Sequence, residues 1–133
     1  MIVDHFAPLP LIRGLGMLPR IVICVALLLV AGALIVSAIR QFVVHHEHPS
    51  PYQPTRAIVS NGVYRFTRNP IYVGFLTVVI AFAVGVNSVW VLVSIVPLFL
   101  LFHFGVVRPE ERYLSAKFGS AYDEYRRRVR RWV

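Results

Sequence analysis

IYVGFLTVVIAFAVGVNSVWVLVSIVPLFLLFHFGVV, residues 71–107, is a run of thirty-seven residues without an Asp, Glu, Lys or Arg. One membrane crossing takes about 20 residues at about 1.5 Å rise each, so the run is too long for one and long enough for two. Gly85-Val86-Asn87-Ser88 supplies turn chemistry near its middle. The run therefore reads as a hairpin of two helices, 70–86 and 88–107, that starts and ends on the same membrane side. Asn69 followed by Pro70 provides an N-cap and a first-turn proline for the first helix. Pro97 is placed to kink the second.

Upstream, Ile21 to Ile39 is a nineteen-residue apolar or small stretch between Arg20 and Arg40, which suits a further crossing, 21–39. Phe6 to Leu18 is apolar but broken by Pro8, Pro10, Gly14 and Gly16, and reads as an interfacial segment. Asp4 and the length of the following apolar run do not fit a secretory signal. The whole is one domain, 1–133: an all-α integral membrane protein with about three transmembrane helices and an amphipathic C-terminal helical region. With 57% hydrophobic and 15% charged residues and a mean hydropathy of +0.66, a bilayer is the expected solvent. Cys24 is alone, which excludes an internal disulfide.

Charge sets the orientation. Twelve of the fourteen Lys/Arg lie from Arg40 onward, in the 40–70 loop and at the C-terminus, whereas the turn at Asn87 has none. The positive-inside bias puts the N-terminus outside and the C-terminus in the cytosol. Tyr122, Tyr125, Val129 and Trp132 recur at helical spacing, with Arg126, Arg127, Arg128, Arg130 and Arg131 covering the remainder. That pattern predicts a helix lying on anionic lipid headgroups rather than on nucleic acid.

Two clusters could carry chemistry. Gly62 to Gly74 crosses from the basic loop into a helix start, where free backbone N–H groups and the helix dipole favour an anion. Arg108-Pro109-Glu110-Glu111 stands at a membrane exit, where carboxylates need water or a cation. The two glutamates point in different directions on a helix, so they are not a proton-sharing pair. The hairpin brings both clusters to one membrane side, where they can line one pocket. His45-His46-Glu47-His48 lacks the spacing of a metal motif and reads as interfacial polar residues, with no metal expected. His103, inside the last crossing, is expected to hydrogen-bond between helices.

Residues 41–133 resemble the isoprenylcysteine carboxyl methyltransferase family, relatives of the membrane phospholipid methyltransferases. The resemblance is carried by Gly62-Val63-Tyr64, Arg68-Asn69-Pro70-Ile71-Tyr72-Val73-Gly74, Glu110-Glu111 with Leu114, and Phe118-Gly119 with Tyr122 and Tyr125. It implies S-adenosylmethionine as cofactor, in a cytosol-facing pocket touched by Arg56, Ala57, Ile58, Val59, Tyr64, Asn69, Pro70, Ile71, Tyr72 and Glu110. Asn69 stands where family members often have His. Val106 stands where the prenylcysteine enzymes have an arginine, with Arg108 the nearest replacement.

The expected reaction is methyl transfer to a lipophilic acceptor, either O-methylation of an isoprenylcysteine-like or other apolar acid, or N-methylation of a phospholipid amine. Arg65, Arg68 or Arg108 would position an acid, and Glu111 would be the base for an amine. Arg108 and Glu111 are thus the catalytic candidates. The alternatives are a non-catalytic lipid- or partner-binding membrane protein and, more remotely, a nicotinamide-dependent reductase. Three spans make a thin shell around an apolar substrate, which suggests a homo-oligomer.

Overall fold

The computed structural model describes residues 9–45 and 57–133, so the readings placed on His46, Glu47, His48 and Arg56 lie outside the described residues. Helix α1 (Met17–Val44) extends the 21–39 prediction at both ends. It begins inside the stretch read as interfacial, because Pro19 is tolerated in a first turn, where its missing N–H has no helical partner to lose. Helix α2 (Pro70–Val86) is 17 residues long. A long apolar helical rod follows, Val89–Phe118. It consists of α3 (Val89–Val93), α4 (Ile95–Leu100), a π-helical segment (Leu101–Val107) and α5 (Arg108–Phe118). Its apolar part ends at Val107, and the charged α5 projects beyond it. Helix α6 (Ser120–Arg128) completes the set. Two helices, α1 and Val89–Phe118, are long and apolar enough to cross a membrane; α2 is a shorter apolar helix.

Helices α1 and α2 pack antiparallel through small residues. A Cβ on Gly74 would lie 2.5 Å from Cγ1 of Ile35, and one on Gly85 would lie 3.2 Å from Sγ of Cys24. As one number rises the other falls, which fixes the antiparallel sense. Ala31 and Ala38 of α1 and Ala81 and Ala83 of α2 are fully buried. Cys24 is therefore a packing residue.

The hairpin turn is made by Asn87, in the left-handed region at φ 56°. Asn tolerates that conformation better than most side chains. Ser88 then caps α3, its side chain accepting from the amide of Val91 at 3.5 Å. The chain before α1 is laid on this turn. Asn87 Oδ1 accepts from the Ile12 amide at 2.9 Å, and Val89 N donates to Leu9 O at 3.0 Å. Part of the stretch read as interfacial thus has a specific protein partner. The rod is interrupted at Ser94, whose hydroxyl donates to Val91 O at 2.6 Å. Pro97 has no N–H for the carbonyl of Val93, which is the physical cause.

The C-terminal region corrects two readings. Gly119, at φ 54°, separates α5 from α6, and α6 ends at Arg128, with Val129 extended. Trp132 is therefore off the helix. Tyr122, Tyr125 and Val129 do share a face, but it is buried against Ile58, Leu114 and Phe118. The aromatic face that looked like a lipid-facing stripe is covered by protein, and α6 leaves outside its three arginines together with Asp123 and Glu124.

Candidate functional site

Three segments meet at the end of the rod opposite Asn87. The first is 57–59 with the 3₁₀ turn Gly62–Arg65 and the start of α2. The second is the junction Val107–Leu114. The third is α6 with the tail after it. Between them is a pocket whose enclosed part is about 70 Å³, smaller than the ~300–1,000 Å³ of small-molecule sites, so a larger ligand has to extend into its open mouth.

Of the residues singled out in the sequence, Ala57, Ile58, Val59, Tyr64, Asn69, Glu110 and Glu111 line this pocket. Pro70, Ile71 and Tyr72 line an adjoining recess that shares Tyr64, Arg68, Asn69 and Glu110 with it. Arg108 is not brought in. It is exposed, with its guanidinium 5.4 Å from the centre of the Phe104 ring. Arg65 is exposed as well.

The two adjacent glutamates have opposite environments. Glu111 is 8% exposed and saturated: Arg68 Nη1 donates to Oε1 at 2.8 Å, Arg131 Nε to Oε1 at 2.9 Å, and Arg131 Nη2 to Oε2 at 2.8 Å. Glu110, one helical step away, lines both the pocket and the recess, and none of the described residues gives it a cationic partner. Burial, then the charge of Glu111, raise its carboxyl above the ordinary value. Burial, then Glu110, push the Tyr64 phenol well up, so it stays protonated as a donor. Burial raises Tyr122 and Tyr125 too, with Arg68 opposing the shift at both.

Asn69 occupies the N-cap position, but its side chain makes no capping bond. Its Nδ2 instead donates to the backbone oxygen of Arg131 at 2.7 Å, while its amide donates to Thr67 Oγ1 at 3.1 Å. The expected cap is thus replaced by a tie to the C-terminal tail. Tyr125 donates its hydroxyl to Tyr64 O at 2.9 Å and so joins α6 to the 3₁₀ turn.

Three contributors escaped sequence reasoning. Phe42, near the end of α1, lines the pocket and meets Tyr64 edge-on at 5.6 Å between ring centres. Nothing marks it among the apolar residues of that helix. Thr67 is buried and donates its hydroxyl to Arg131 O at 3.4 Å. Arg131 was one of five arginines assigned to the surface; the end of α6 at Arg128 turns it inward.

His103 stacks near Trp132, with 6.1 Å between ring centres, rather than hydrogen-bonding to a second helix. Its Nδ1 is buried without a partner among the described residues. His45 has both ring nitrogens engaged, Nδ1 at 2.8 Å from Gln41 O and Nε2 at 3.5 Å from Asn61 Nδ2.

The arrangement can hold a small molecule that brings a cation to Glu110 and a flat apolar group to the aromatic wall. The sequence model of a family described as phospholipid methyltransferase matches residues 19–121, from α1 to the start of α6. Comparisons with curated proteins and with solved structures give no match. The family match covers most of the chain and contains both motifs that wall the pocket. The chain belongs to the phospholipid methyltransferase family, whose common chemistry is methyl transfer.

Proposed function

We propose that this chain uses S-adenosylmethionine to methylate a lipophilic acceptor, a lipid amine or an apolar acid, at the cytosolic face of a membrane. The observation that carries the reading is Glu110: a carboxylate opening into an aromatic-walled pocket with no cationic partner among the described residues. A half-buried carboxylate without a counter-charge is partly desolvated, and a cationic ligand offsets that cost. The cofactor carries two positive groups, so the donor set fits it.

On this reading Glu110 and the Tyr64 and Tyr72 faces hold the cofactor by charge and cation–π attraction. Ala57, Ile58 and Val59 form the apolar wall, and Asn69 with Pro70 and Ile71 forms the rim. When bound, S-adenosylmethionine supplies a methyl group on positively charged sulfur, already electrophilic. The protein has then to align the acceptor and keep water out. Phe42, Val107 and Leu114 do the second.

The candidates for positioning the acceptor differ. Arg108 is turned to Phe104 and away from the pocket, whereas Arg68 lines the pocket, gives Nη1 to Glu111 and keeps its Nε without a partner among the described residues. Glu111, bound by three guanidinium N–H groups, is better placed to order the wall than to take a proton from an amine. For the topology, we take α2 as a third crossing, with the N-terminus outside and the C-terminus cytosolic. The exposed Arg126, Arg127, Arg128 and Arg130 then face anionic headgroups.

The test is calorimetric titration of S-adenosylmethionine into detergent-purified protein beside Glu110→Ala and Tyr64→Ala. Micromolar binding that both variants lose supports the reading. A folded protein that does not bind removes it and leaves a lipid-binding role. Methyl incorporation into phosphatidylethanolamine vesicles against N-acetyl-S-farnesylcysteine then separates the amine from the acid acceptor.

A further inference from the structure

Residues 130–132 reach back to the residues that line the pocket. Arg130 O accepts from the Arg68 amide at 3.0 Å, and residues 67 and 130 form an isolated parallel bridge. The backbone oxygen of Arg131 accepts from Thr67 Oγ1 and from Asn69 Nδ2, while its guanidinium takes both oxygens of Glu111. One residue thus ties together Thr67, Asn69 and Glu111, from two separate motifs.

The next residue is held differently. Trp132 packs on Phe99 at 4.9 Å and near His103 at 6.1 Å between ring centres, yet its Nε1 is buried without a partner among the described residues. The tail is therefore packed at Trp132 and bonded at Arg131. Arg131 also lies beyond the matched family region, which ends at residue 121.

We propose that Arg131 is a positioning residue of the cofactor pocket: it holds Glu111 against Arg68 and Asn69 against the tail, leaving Glu110 as the carboxylate presented to the ligand. This rests on the reading of the pocket as an S-adenosylmethionine site. A bidentate guanidinium–carboxylate pair fixes distance and angle together. Lysine, a point charge, fixes neither. With the Arg131 side chain removed, Glu111 keeps one partner and its freed oxygen loses its set position at the pocket wall, while the backbone oxygen that holds Asn69 stays in the chain.

The experiment titrates S-adenosylmethionine into the full-length wild type, Arg131→Ala, Arg131→Lys, Glu111→Gln and Trp132→Ala in detergent. Helical content and thermal unfolding are measured on every sample. Arg131→Ala is expected to weaken binding by about tenfold or more, which corresponds to about 1.4 kcal/mol, and Arg131→Lys to recover only part. Adding Glu111→Gln to Arg131→Ala should cost less than the sum of the two single losses, because they share one pair. Ethylguanidinium should restore binding to Arg131→Ala but not to Trp132→Ala. Arg131→Ala binding like wild type overturns the inference and leaves the cofactor reading intact. So does Trp132→Ala, the larger loss of packing, weakening binding as much without rescue, since that marks a merely structural tail. A wild type that does not bind overturns both. If Arg131→Ala does not fold, Arg131→Lys and Glu111→Gln decide alone: affinity equal to wild type in both refutes the inference.

Discussion

Each end of the helical bundle is closed by a terminal segment of the chain, and the two closures are chemically unlike. At the Asn87 end, Leu9 to Ile12 meet the hairpin turn through uncharged amide bonds, centred on one left-handed asparagine. At the opposite end, Arg130 and Arg131 meet Thr67, Arg68, Asn69 and Glu111 through backbone bonds and a three-membered ion cluster in which Arg68 and Glu111 are largely buried and Arg131 is about a third exposed. A neutral closure suffices to fix a turn. Charge is costly to bury and is needed only where something else must be ordered or bound. The contrast sets the pocket end apart chemically, without reference to any motif.

The largest test of the contrast is Glu111→Ala. It leaves Arg68, at 10% side-chain exposure, facing Arg131 without the shared anion. A destabilisation of about 3 kcal/mol is expected, read as a clear fall in the thermal midpoint in detergent. A change below about 1 kcal/mol would mean that the cluster is no more than a surface ion pair. Asn87→Ala should cost about 1–2 kcal/mol, through the lost Ile12 bond and the left-handed backbone. Asn87→Gly should recover part of that loss, because glycine accepts the conformation freely. If it recovers nothing, the side-chain bond is the whole effect.

A smaller, graded effect comes from pH. Burial, then Glu111, lift the Glu110 carboxyl above its ordinary 4.5. Over the window from that value up to the raised one, the folded chain holds a proton that the unfolded chain has released. Stability should therefore fall as pH rises through the window. Glu110→Gln should flatten this part of the curve; an unchanged slope would assign it to another group. The smallest expected effect is Asp123→Ala. It breaks an exposed pair with Arg126 at 3.6 Å and should move the midpoint by no more than about 0.5 kcal/mol in equivalent stability. A larger loss would extend the charged closure onto the outer surface of α6.

Much of this was legible in the sequence because apolar length, turn residues and proline act locally. The thirty-seven-residue run, the turn at Asn87, the break near Pro97 and the separation at Gly119 all follow from such signals. The meeting of the 57–72 and 107–125 segments follows from a hairpin that returns to its own side. What was not legible depends on partners distant in sequence. Asn69 before Pro70 has every local mark of a cap, yet its side chain is taken by a carbonyl sixty-two residues away. Arg131 and Arg128 are alike in a sequence; only the backbone extension at Val129 sends one to Glu111 and leaves the other outside. Arg108 was favoured as the nearest replacement for an arginine at Val106, but on a helix a residue two positions away faces elsewhere.

The tie at Arg131 also has a consequence in time. A ribosome delivers this chain from its N-terminus, and α1, the hairpin and α5 are all made before residue 131 emerges. The helices can enter the bilayer and pair while the pocket still lacks the residue that orders Glu111 and Asn69. The pocket is thus completed only after the helices that wall it have been made.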